Sequence, residues 1–213
     1  ILNYLYLENN KLIEITIYTF QNFFRFMYVI NLSYNQIEKI ESYSFYSVCQ
    51  VSLLDLSHNS LKKFENNSFI GLYHLKKLIL NSNLIEFIQT ELFHPLNSII
   101  FIDLEDNRIR DIQDFSFQNQ KYLIRLHLNL NNLSHINKNR TFYGMDSLSY
   151  LKIQPNLLDN FNNLLYLKDN FMPKKALRNV LNRDYFKSIN LNSMSKLNQS
   201  LFFSGQNCFN ILY

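Results

Sequence analysis

Five histidines, His58, His74, His94, His127 and His135, and two cysteines, Cys49 and Cys208, are the residues able to ligate a metal or act as nucleophiles. No His/Cys pair among them keeps the short spacing of a structural zinc site. The glycines number three, too few for a phosphate-cradling loop, and GxGxxG, GxxxxGK[ST], GxSxG and HExxH are all missing. Two cysteines do not make a disulfide framework. The expectation is therefore no catalytic residue, no metal and no cofactor, which leaves recognition as the chemistry to look for.

The side-chain group that recurs with regular spacing is the asparagine amide. Asn10, Asn35, Asn59, Asn83, Asn107, Asn131 and Asn156 follow one another at intervals of 24 or 25 residues. Asparagine is 31 of the 213 residues, so seven in register by chance is on the order of one in a million. The apolar residues keep the same frame. Leu5, Ile30, Leu54, Leu78, Ile102, Leu126 and Leu151 stand five before each asparagine, and Leu7, Leu32, Leu56, Leu80, Leu104, Leu128 and Ile153 three before. Ile37, Leu61, Ile85, Ile109 and Leu133 follow two after, and ten after comes Phe20, Phe45, Phe69, Phe93 or Phe117, slipping one place to Phe142. A fixed period of this length marks a solenoid of stacked coils. A buried amide offers two donors and an acceptor to turn groups left without partners, so the asparagines are expected to form a structural ladder. Gly71 and Gly144 fall where each returning backbone turns toward the next strand.

The pattern resembles the leucine-rich repeat, LxxLxLxxNxLxxLxxxxFxxL, in its 24-residue form with the late phenylalanine, as in Toll-like receptor ectodomains, small leucine-rich proteoglycans and glycoprotein-hormone-receptor-like ectodomains. The resemblance covers residues 1–161. It implies an α/β fold: a curved horseshoe with a parallel β-sheet on the concave face, a mostly irregular convex side and a short helical cap. Residues 1–161 read as seven repeats, the first truncated, and 162–213 as a capping segment, itself truncated. Within it Ala176, Leu177, Val180 and Leu181 predict a helix over 174–184 after Pro173, and 188–192 predicts a last edge strand. Starting inside a repeat at Ile1 without a cap, the chain reads as a fragment.

Net charge is +4, carried by the tail: residues 1–156 hold 14 basic and 14 acidic side chains, residues 157–213 seven and three. Nucleic-acid binding is not expected, because no aromatic-basic interleaving or recognition module accompanies the charge. No apolar run reaches the roughly 20 residues of a bilayer span.

Strand side chains alternate, so residues six, four and two before each asparagine are expected to face out. At the centre these are Lys77, Ile79, Phe101, Asp103, Glu105, Arg125, His127, Tyr150 and Lys152, an aromatic and an aliphatic residue within a charged rim, the composition of a binding hot spot. The alternative is a solvated charge cluster that only helps repeats stack. Sequons at Asn66, Asn132, Asn139 and Asn198 could accept glycans; a fifth, Asn31, would put sugar on the sheet. The expected function is a non-catalytic module binding a protein, or a glycan-bearing partner, within an extracellular or cell-surface receptor or adhesion protein. The alternatives are a cytoplasmic scaffold, or the recognition part of a larger enzyme such as a receptor kinase or ligase.

Overall fold

A computed structural model describes residues 3–21, 26–134, 136, 141–153 and 156. Its strands are β1 (Tyr4–Tyr6), β2 (Glu14–Ile15), β3 (Val29–Asn31), β4 (Lys39–Ile40), β5 (Leu53–Asp55), β6 (Lys77–Ile79), β7 (Phe87–Ile88), β8 (Phe101–Asp103), β9 (Asp111–Ile112), β10 (Arg125–His127) and β11 (Tyr150–Lys152). Seven of them form one parallel sheet in the order β1-β3-β5-β6-β8-β10-β11. On the return path β2 pairs with β4, and β7 with β9.

The sheet is built in strict register because each coil has the same length. Leu54 pairs with Leu78, Leu78 with Ile102, Ile102 with Leu126 and Leu126 with Leu151. This middle row points inward and is fully buried, as are Leu56, Leu80, Leu104 and Leu128 three before the asparagines. Burying one such side chain contributes about 1.5–3 kcal/mol. Leu5 and Leu7, covered by a described coil on one side only, are half-buried.

Each ladder asparagine joins two coils. Asn83, 4% exposed, accepts the Leu61 N–H at Oδ1 (3.0 Å) and donates from Nδ2 to the carbonyls of Leu56 (2.9 Å), Leu80 (3.1 Å) and Asn81. Asn35, Asn59, Asn107 and Asn131 repeat the pattern, and Asn156 does so with Leu133, Leu128 and Ile153. Asn10, exposed, donates to Leu7 and Glu8 of its own coil. The phenylalanines form the expected spine: Phe69 stacks on Phe93 at 6.2 Å, and Phe93 on Phe117 at 5.2 Å.

Two features go beyond the periodicity or correct it. The residues two before the asparagines do not all face out, for Ser33, Ser57 and Asn129 are buried. In two coils the cause is the outward residue before them: Asn31 Oδ1 accepts from the Ser33 N–H and hydroxyl, and Asp55 Oδ1 from those of Ser57, folding the strand end over. A second ladder runs along the return side. Ser44, Ser68 and Ser116, each one before a spine phenylalanine, are buried and donate to the carbonyls of Ile15, Ile40 and Ile88 in the preceding coil.

None of the described residues is α-helical, and the α component of the expected α/β class rests on the 174–184 helix. That helix, the 188–192 strand, the rest of the 162–213 cap, Asn139, Asn198, His135 and Cys208 lie outside the described residues. Among the described residues no helix is long and apolar enough to cross a membrane.

Candidate functional site

Parallel register at 24-residue period turns distant residues into neighbours. On the open face Lys77, Phe101, Arg125 and Tyr150 form one row, each directly opposite the next. Ile79, Asp103, His127 and Lys152 form the row beside it through the same pairings. The nine residues singled out from the sequence are therefore brought together on β6, β8, β10 and β11, with Glu105 just beyond the end of β8.

Their environments differ. Lys77, Arg125 and Tyr150 are exposed, whereas Ile79, Phe101, Asp103, Glu105, His127 and Lys152 are half-buried. Phe101 is less open than its position implies because the His127 ring packs edge-on against it at 4.9 Å, and the His127 ring in turn lies 5.6 Å from that of Tyr150. Between aromatic walls sits a small ionic cluster. His127 Nδ1 lies 3.4 Å from Asp103 Oδ2 and 4.0 Å from Glu105 Oε2, and Lys152 Nζ reaches Glu105 Oε2 at 2.8 Å. Asp103 uses its other oxygen to accept the Glu105 N–H at 3.0 Å, which fixes the carboxylate against its own strand. Lys77 and Arg125 form no ion pair with a described residue, so the two cations flanking Phe101 keep their charge available.

Asp103 and His127 are one whole coil apart, so the repeat period names the members of this cluster without showing which of them pair. The lateral register is the signal that pairs them. Of the sequons, Asn66 and Asn132 are exposed, while Asn31 is half-buried on the sheet with its Oδ1 engaged by Ser33.

The described coils fit one family, and its model, described as Leucine rich repeat, matches residues 1–61, 49–109 and 101–158. The chain belongs to the leucine-rich-repeat family. Among solved structures, this repeat array is similar to the leucine-rich repeat domain of APL1B, with 19% identity and a TM-score of 0.62 over 77% of this chain and 53% of that one. It is also similar to TLR13, solved in complex with ssRNA13, with 23% identity and a TM-score of 0.57 over 75% of this chain and 26% of that one. The leucine-rich-repeat chain thus spans about half or less of the length of these neighbours, and at such identities the likeness establishes the fold. No curated protein matches the chain.

Proposed function

We propose that this leucine-rich-repeat array is a non-catalytic module that binds a protein, glycan-bearing in one form of the reading, across the open face of its sheet, with β6, β8, β10 and β11 at the centre. The observation that carries it is the in-register row Lys77, Phe101, Arg125, Tyr150: two cations, neither ion-paired among the described residues, on either side of a rigidly held aromatic ring. Aromatic and arginine anchors carry most of the energy in protein interfaces. Seven strands at about 4.8 Å give a face roughly 30 Å across, the width of a standard interface. The mixture of Asp55, Asp103 and Glu105 with the cations suits a protein surface better than a polyanion.

The test is partner capture by the Phe101→Ala, Arg125→Glu double variant. Capture is expected to fall at least about 100-fold, while Tyr46→Ala, in a return turn, leaves it unchanged. Undiminished capture by the double variant, with an unaltered melting curve, rejects the reading.

We infer further that the module belongs to an extracellular or cell-surface receptor or adhesion protein, a reading supported by the family resemblance and by exposed sequons at Asn66 and Asn132. Glycosidase-sensitive mass at these asparagines in the full-length protein tests it. Bare asparagines together with a reduced Cys49 favour the cytoplasmic scaffold.

A further inference from the structure

We propose that Asp103, Glu105 and His127 form a Zn2+ site on the open face of the sheet. One donor atom of each lies within 4.8 Å of the other two, on two adjacent strands held in register by backbone hydrogen bonds. Zinc binds imidazole nitrogen and carboxylate oxygen at about 2.0–2.2 Å, so two donors of a tetrahedral ion stand roughly 3.4 Å apart. The His127 Nδ1 to Asp103 Oδ2 separation is 3.4 Å, and that to Glu105 Oε2 is 4.0 Å. Movement of the longer, more flexible Glu105 side chain completes the set.

A polar atom without a hydrogen bond at the same place points to a ligand. His127 Nδ1 is buried and makes no hydrogen bond, its nearest acceptor being Asp103 Oδ2 at 3.4 Å. Asn129, two residues on from His127 and 2% exposed, leaves Oδ1 buried and without a partner as well. Its carbonyl accepts the Asp106 N–H, which sets Asn129 alongside Glu105. Buried polar atoms in folded proteins are nearly always satisfied, and an unsatisfied imidazole nitrogen facing two carboxylates, with a second unsatisfied oxygen two residues along the same coil, suits a cation.

The donor set selects among cations. An imidazole nitrogen with two carboxylates favours zinc over calcium, which takes six to eight oxygens, and over magnesium, which keeps most of its water. Second-sphere control is already present: Asp103 is oriented through the Glu105 N–H, and Phe101 and Tyr150 wall the ring of His127. Lys152 Nζ competes for the same Glu105 oxygen. Three protein donors leave a fourth position open to water.

The experiment is calorimetric titration of the whole chain with ZnCl2 in the absence of any partner, which separates this inference from the protein-binding reading. Zn2+ is expected to bind this site at one ion per chain, at least about tenfold tighter than Ca2+ or Mg2+. Asp103→Asn, which keeps the acceptor for the Glu105 N–H, and His127→Gln are each expected to weaken it at least about tenfold. Lys152→Met removes the competitor and is expected to tighten it. Absence of Zn2+ binding at millimolar metal overturns the site. So does affinity unchanged in both ligand variants, which would place the ion on other donors such as His58 or His74. Lys152→Met replaces no ligand and only frees the Glu105 oxygen, so affinity no tighter than the parent's in that variant counts against the proposal even where a ligand variant fails to fold.

Discussion

At Asn83 one side chain closes four hydrogen bonds across two coils while remaining 4% exposed. Asn83→Leu keeps the branched outline of the side chain but strands buried backbone groups, so it is expected to lower stability by about 1–3 kcal/mol, read as a drop in urea midpoint. The residue just before the ladder asparagine meets a different demand. Asn9, Tyr34, His58, Ser82, Asp106 and Leu130 all have φ between 53° and 57°, a left-handed conformation that costs most non-glycine residues roughly 1 kcal/mol and asparagine less. Leu130 is 46% exposed, so its side chain contributes little packing there. Leu130→Asn is therefore expected to stabilise the chain by up to about 1 kcal/mol, with the midpoint of thermal unfolding as the readout. The asparagine period placed this strained position, but nothing in the residue types Tyr, His and Leu announced it.

Between elements, the strands were the legible part. The frame of Leu78, Leu80 and Asn83 repeats in every coil and places seven strands and their register, because burial of that frame leaves one way for equal coils to stack. What it could not show were contacts that depend on local side-chain capture. The burial of Ser33 and Ser57 follows from the oxygens of Asn31 and Asp55, and the Ser44, Ser68 and Ser116 ladder from hydroxyls reaching the previous coil. The only trace of that ladder in the sequence is a serine preceding Phe45, Phe69 and Phe117. Gly71 shows the same limit of tolerance between coils. Its φ is +105°, and a Cβ there would collide with the Phe45 carbonyl oxygen. Gly71→Ala is expected to cost at least about 2 kcal/mol and to raise amide exchange most in the coils on either side. Stacking is also sensitive to acid at one exposed point. The Ser42 N–H, and after it Lys39, hold the Glu65 carboxyl below its ordinary pKa. That linkage is present above the unfolded carboxylate range and is lost as pH falls through the lower folded value. Replacing Glu65 by Gln is expected to flatten the acid limb of a stability-versus-pH curve, and an unchanged limb would count against the linkage.

Over the described coils nearly all packing is between neighbours, the Lys152–Glu105 pair across β10 being an exception, so stability is close to a sum of coil and interface contributions and the open face is a rigid display of alternate strand residues. That rigidity is what gives Phe101, His127 and Tyr150 fixed positions with cations around them, and it is why residues scattered over 76 positions of chain, from Lys77 to Lys152, make one surface. The fold and the membership of the open face were readable from repetition; the pairing of Asp103, Glu105, His127 and Lys152 was not, since it is set by side-chain contacts across strands. Hydroxyl-radical footprinting of the chain, free and with its partner bound, tests the surface most directly. Oxidation of Phe101, His127 and Tyr150 is expected to fall on binding, while Tyr46 and Tyr122, exposed in the return turns, react as before. Protection of Tyr46 and Tyr122 with Phe101 and Tyr150 still reactive would contradict that placement of the binding surface.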